Sequence, residues 1–191
     1  METTKFWEGG FGDEYTQRNR VQWRHRIPFW RYIIQTTRPD NVLEVGCNAG
    51  WNLRAITEAS PGTKLVGVDI NTKAVTEARQ LGFDVHRKEA TEIQDLDLAF
   101  DLVFTAGVLI HVAPTDLIET MQAIIRRTSR HVLAVEYAAN KEEEVNYRGN
   151  KGKLWRRPFG ELYKALGLKE LTSGGAAQGF DNCEYWLLEK Q

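Results

Sequence analysis

Cysteine is scarce: the chain has two, Cys47 and Cys183. That is too few for a disulfide framework or a cysteine-built metal cluster, so no metal is expected. Cys47 lies in a glycine turn with no histidine near it in sequence, which reads as a small residue filling a tight loop rather than a nucleophile. Long apolar runs are missing as well; none approaches the ~20 residues of a membrane span. The start, Met1-Glu2-Thr3-Thr4-Lys5, lacks the apolar core of a signal peptide. A cytoplasmic protein without membrane contact is expected. Neither sign of charge prevails, with 25 Lys+Arg against 26 Asp+Glu and a formal net charge of −1, which argues against a nucleic-acid partner. There is no repeat, no low-complexity linker and no sign of a second domain.

What is present is ordinary in bulk and informative in pattern. The composition, 42% hydrophobic and 27% charged over 191 residues, suits one globular domain with a substantial core. Strands are predicted at about 42–45, 64–69, 83–86, 101–105 and 131–137, and helices at about 50–59, 72–81 and 115–127. This alternation predicts a parallel, doubly wound α/β sheet. The runs at 42–45 and 131–135 are nearly continuous in apolar residues, as strands buried on both faces are. A short helix near 159–166 and closing segments at 168–172 and 183–189 follow. At the other end, residues 1–12 are rich in aromatics and glycine and read as an ordered flap rather than a helix. Asp13 is placed to cap a helix over 14–26; Pro28 then breaks the pattern, and a second helix runs to about Thr36.

The chemistry concentrates in Val42-Leu43-Glu44-Val45-Gly46-Cys47-Asn48-Ala49-Gly50, followed by Val66-Gly67-Val68-Asp69-Ile70-Asn71. This is a strand, a glycine turn, a helix, a second strand and an acid at its tip, the pattern of a nucleoside pocket. Dinucleotide sites want G-x-G-x-x-G, whose second glycine makes room for a pyrophosphate. Here only Gly46 and Gly50 occur, and Glu44 precedes them. The turn resembles motif I, E/D-x-G-x-x-x-G, of the class I S-adenosylmethionine-dependent methyltransferases.

That resemblance implies a Rossmann-like class I fold, mostly parallel and seven-stranded, with an N-terminal helical cap. It also implies S-adenosylmethionine as donor and S-adenosylhomocysteine as product. Asp69 would grip the ribose diol; its competing role is an N-cap for the helix starting near Asn71. Ile70 would pack on the adenine, and Glu89-Ala90 would meet its edge. Backbone groups of Gly46, Cys47 and Asn48 would meet the amine end of the methionine tail, joined by the segment Thr105-Ala106-Gly107. Tyr15, Arg20 or Trp23 would hold its carboxylate. Glu44 would orient the turn by accepting backbone N–H bonds. His111, past the fourth strand, is the candidate general base, although much of the acceleration of methyl transfer can come from alignment alone.

A narrower likeness runs along nearly the whole chain. Phe6-Trp7-Glu8-Gly9, Phe11-Gly12-Asp13-Glu14-Tyr15, Arg18-Asn19, Gly107-Val108-Leu109-Ile110-His111, Glu136-Tyr137, Tyr147-Arg148-Gly149 and Trp186-Leu187-Leu188-Glu189-Lys190 resemble the pseudaminic acid biosynthesis-associated methylases. The likeness implies a flap and cap over 1–38, a donor-binding core over 41–138 and an acceptor-side part over 139–191. Trp7, Glu136, Tyr137 and Arg148 would bind substrate, and Tyr147 would join His111 at the chemistry. The acceptor implied is a small polar metabolite, an amine or hydroxyl of a sugar or sugar nucleotide in surface-glycan or secondary metabolism. The arginine-rich stretches 15–39 and 147–157 would suit an anionic one. The sequence departs from that family in Cys47-Asn48-Ala49 and in Thr172–Gly179, which borders the expected acceptor pocket. Rival readings are a peptide or protein acceptor, a nicotinamide-dependent oxidoreductase and a non-catalytic donor-binding protein. The chain is read as a monomer or homodimer.

Overall fold

The computed structural model describes residues 2–175 and 179–191. Its centre is a seven-stranded sheet. In chain order the strands are β1 (Asn41–Val45), β2 (Lys64–Asp69), β3 (Asp84–Arg87), β4 (Phe100–Ala106), β5 (Thr128–Glu136), β8 (Leu168–Gly174) and β9 (Glu184–Lys190). In space they run β3-β2-β1-β4-β5-β9-β8. The first five are mutually parallel, and β9 lies antiparallel to both β5 and β8. β6 (Glu143–Glu144) and β7 (Trp155–Arg156) form a separate antiparallel pair.

Period-two burial sorts side chains to two faces. Leu43, Val45, Val103, Val132 and Ala134 join one core with Met121 and Ile124 of α6 (Leu117–Arg127) and with Phe159 and Tyr163 of α7 (Phe159–Ala165). Val42, Leu102, Phe104, Leu133 and Val135 join the other with Trp30 and Ile33 of α3 (Ile27–Thr37) and with Ala55 and Ile56 of α4 (Trp51–Ala59). A smaller cluster seats Val75 and Ala78 of α5 (Thr72–Gln80) against Leu53 and Val85. The expected doubly wound α/β sheet is present, and the order reverses between β1 and β4, where such sheets bind ligands.

The N-terminus differs from the sequence reading. Residues expected to form a flap are helical: α1 (Glu2–Glu8) and α2 (Gly10–Arg18). Three glycines lower the local helix propensity, but the pair is held by aromatic packing. Phe6 stacks on Phe11 at 4.0 Å, and Trp7 meets Phe11 and Tyr15 edge-on at 5.3 Å each. Gly12 is what allows the approach, since a Cβ there would lie 1.9 Å from the Trp7 carbonyl oxygen. Asp13 lies inside the first turn of α2, not at its cap. The helix expected to reach 26 stops at Arg18 and is followed by a 3-10 turn at Trp23–Arg26. The expected second helix is present as α3, and Pro28 lies in its first turn, where its missing N–H costs nothing. Ala176, Ala177 and Gln178, part of the expected acceptor border, lie outside the described residues.

Candidate active site

A cleft of about 290 Å3 opens at the carboxyl ends of β1, β2 and β4. The turn after β1 forms its floor. Gly46 adopts φ +77°, and its N–H and that of Cys47 donate to the Val68 carbonyl at 2.8 and 2.9 Å. A Cβ on Gly46 would sit 2.4 Å from Val108 Cγ2, so the turn can pass the segment after β4 only as glycine. Gly50, also at positive φ, occupies the cap position of α4 behind the floor and does not line the cleft. The Cys47 thiol is buried and pushed well up by desolvation, which suits a filler.

Asp69 lies at the tip of β2. Its Oδ2 accepts from the Asn48 N–H at 2.7 Å and its Oδ1 from the Asn71 N–H at 2.8 Å. Each oxygen keeps lone-pair capacity for a further donor. Burial raises its carboxyl and the backbone N–H groups oppose that. The cap of α5 is Asn71, whose Oδ1 accepts from the Ala74 N–H at 2.9 Å, so Asp69 is free of the capping role. Ile70, Glu89 and Ala90 also line the cleft, as do Asp116 and Glu119.

Glu44 does not accept backbone N–H bonds, as the sequence suggested. Its Oε1 accepts from Asn52 Nδ2 at 2.7 Å, while its Oε2 is buried without a partner. Desolvation pushes this carboxyl up to about 8. Asn52 Oδ1 in turn accepts from Arg26 Nη1 at 2.9 Å and Trp30 Nε1 at 3.4 Å. Arg26 and Asn52 both line the cleft and were missed from sequence. The signal available for Arg26 was only its place among six arginines. Of the three residues expected at the tail carboxylate, Tyr15 lines the cleft, Arg20 pairs with Glu77 at 3.2 Å, and Trp23 packs beneath the guanidinium groups of Arg24 and Arg54.

Helices α1 and α2 roof the cleft with Trp7, Tyr15 and Thr16. The Asn71 amide donates to Asp13 Oδ1 at 2.8 Å and to the carbonyls of Trp7 and Glu8 at 3.3 and 3.4 Å. Glu8 also pairs with Arg87 at the end of β3.

A second cavity of about 350 Å3 adjoins the first. Tyr15, Arg26, Ala106, Gly107 and His111 face both. His111 ends a 3-10 turn at Leu109–His111 and packs against Trp7 at 4.4 Å and Tyr147 at 5.0 Å between ring centroids. Its Nδ1 lies 2.7 Å from the Lys153 carbonyl oxygen. That oxygen can only accept, so Nδ1 carries the proton and Nε2 keeps its lone pair. Burial lowers this imidazole to about 4, so it is neutral at pH 7. Tyr137 and Tyr147 line the second cavity with Phe180, Asp181 and Cys183.

Besides Gly50, three residues expected at ligand stand off both cavities. Thr105 is buried in β4, one position short of the wall that Ala106 and Gly107 form. Glu136 is fully buried behind that wall. Arg148 is exposed at φ +51° in a turn, because the strand pair β6–β7 carries it outward. Among the described residues no group of three or more His, Cys, Asp or Glu is placed to hold a metal ion.

Fold and site together are those of the Rossmann-like class I methyltransferase fold. More particularly, residues 42–131 match the family model described as a methyltransferase domain, a stretch that contains the glycine turn, Asp69 and His111. The whole chain overlays 96% of magnesium protoporphyrin IX methyltransferase of Synechocystis PCC 6803, solved with S-adenosylmethionine bound, at 15% identity and a TM-score of 0.73. It covers 95% of itself and 86% of the 1,6-didemethyltoxoflavin N1-methyltransferase of Burkholderia thailandensis at 14% identity and a TM-score of 0.74. It covers 96% of itself and 94% of a sugar N-methyltransferase from a Streptoalloteichus species at 13% identity and a TM-score of 0.71. No curated protein matches the chain in sequence.

Proposed function

We propose that the cleft holds S-adenosylmethionine and that the adjoining cavity holds a small polar metabolite, whose amino or hydroxyl group receives the methyl. The observation that carries this reading is the shared wall at Gly107 and His111 between two cavities of ligand size. Bound there, the donor supplies a methyl group on a sulfonium.

The chain's own residues fit such a donor. Asp69 has lone pairs left for a ribose diol, and Ile70 offers an apolar face to adenine. Glu44 Oε2, buried and unpartnered, suits an ammonium, and the guanidinium of Arg26 suits a carboxylate. The indole N–H groups of Trp7 and Trp51 are likewise buried without partners on residues that line the cleft. Besides the raised Glu44, four acids line the cleft against Arg26: Asp69, Glu89, Asp116 and Glu119. Such a lining favours a cationic sulfonium over the anionic pyrophosphate of a dinucleotide.

On the acceptor side His111 Nε2 receives the proton that the acceptor nitrogen or oxygen gives up as it bonds to carbon. Tyr147 and Trp7 pack against the imidazole from adjacent sides, while Tyr137 and Tyr147 shape the chamber. The chamber has room for a sugar-sized molecule, in keeping with the sugar N-methyltransferase among the neighbours and with the narrower family likeness. Calorimetric titration with S-adenosylmethionine, S-adenosylhomocysteine and NAD tests the donor. Binding of NAD, or of none of the three, would remove the reading. Release of S-adenosylhomocysteine over a panel of aminosugars, sugar nucleotides and short peptides tests the acceptor; turnover confined to peptides would overturn the small-metabolite assignment.

A further inference from the structure

We infer that Glu136 and Arg157 are positioning residues for the reaction, clamping from two sides the turn 108–112 that carries His111 into the shared wall. Both are ionisable and almost wholly buried, at 0% and 1% exposure, and neither lines either of the two cavities; burial pushes the Glu136 carboxyl up to about 7. Glu136, at the end of β5, takes the N–H side of the turn. Its Oε1 accepts from Val108 and Leu109 at 3.2 and 3.1 Å, and its Oε2 from Ile110 at 3.3 Å. Arg157 takes the carbonyl side. Its Nη1 donates to the Leu109 oxygen at 2.9 Å and its Nη2 to the Val112 oxygen at 3.0 Å, while its Nε is held by Glu142 Oε2 at 2.8 Å. The backbone of Arg157 is itself fixed to the continuation of β5, where the Ala139 N–H donates to its carbonyl at 3.3 Å. The imidazole makes the third anchor through Lys153.

Burying a carboxyl group and a guanidinium around a short turn is costly, and an apolar packing of similar volume is often as stable. What the charges add is orientation, since a carboxylate and a guanidinium together fix five backbone groups of one turn. The inference rests on the proposed role of His111 as proton acceptor.

The test follows the imidazole by 15N-resolved NMR of the full chain saturated with S-adenosylhomocysteine. Wild type should show His111 in the Nδ1–H form, neutral down to about pH 4. In Arg157→Lys and Glu136→Gln, with folding verified by dispersed amide spectra and S-adenosylhomocysteine affinity retained, His111 should populate both tautomers. Its titration midpoint should move from about 4 toward 6.5. A folded variant with unaltered tautomer and midpoint overturns the clamp, since a merely structural role would leave the imidazole as it is. Should Glu136→Gln not fold, Glu142→Ala, which loosens Arg157 from its half-exposed partner, decides with Arg157→Lys by the same criterion. His111→Asn in the acceptor screen is read separately. Undiminished turnover there would remove the proton-acceptor role while the NMR result stands on its own.

Discussion

Asp69 can serve a ribose because its capping role was taken by Asn71. Replacing it with alanine removes charge-assisted hydrogen bonds worth about 1.5–3 kcal/mol. Affinity for S-adenosylhomocysteine should drop roughly 10- to 100-fold in calorimetry; an unchanged affinity would place the ribose elsewhere. Two other buried groups set opposite pH slopes of stability. The His111 folded pKa, about 4, lies below its ordinary 6.5. The unfolded chain therefore binds the extra proton, and stability falls as pH drops from 6.5 toward 4. The Glu44 carboxyl is raised from 4.5 to about 8. Its contribution is full below 4.5 and is lost as pH rises through about 8. Urea titrations should show a flatter acid limb in His111→Leu and a flatter limb between pH 4.5 and 8 in Glu44→Gln. Motif spacing made Glu44, Gly46 and Asp69 legible. Arg26 and Asn52 were not, because their importance comes from meeting each other and Glu44 across separate elements.

The elements under strongest constraint are the turn after β1 and the roof. Gly46→Ala adds both positive-φ strain and a clash with Val108, together about 1–3 kcal/mol, read as a lower denaturation midpoint. The roof is latched by the Asn71 amide. Asn71→Ser keeps a capping hydroxyl for α5 but removes the three amide donations to α1 and α2. Amide exchange over residues 3–18 should accelerate while the sheet stays protected. Equal exchange in both proteins would mean that the aromatic stack holds the roof alone. The strands and the helices between them were legible because a buried parallel strand must be apolar on both faces. The roof was misread for a physical reason: local propensity disfavours helix at Gly9, Gly10 and Gly12, and stacking of Phe6, Trp7, Phe11 and Tyr15 together with the Asn71 latch outweighs it.

At the scale of the molecule, ligand binding and folding are linked, because the donor cleft exists only when β1, β2, β4 and the roof are assembled. S-adenosylhomocysteine at a hundred times its dissociation constant should add about 2.7 kcal/mol and raise the melting temperature by roughly 5–10 °C. NAD should leave the melt unchanged. Sequence by itself determined the sheet's class, the glycine turn and the acid that follows it, since each is a short-range pattern whose chemistry is set by neighbours along the chain. Tertiary structure alone decided that Glu136 sits behind the wall, that Arg148 points away from it, and that His111 stands between two cavities. Those placements depend on how β5, the β6–β7 pair and the N-terminal helices meet in space, and contacts between distant segments leave no periodicity in the chain to read.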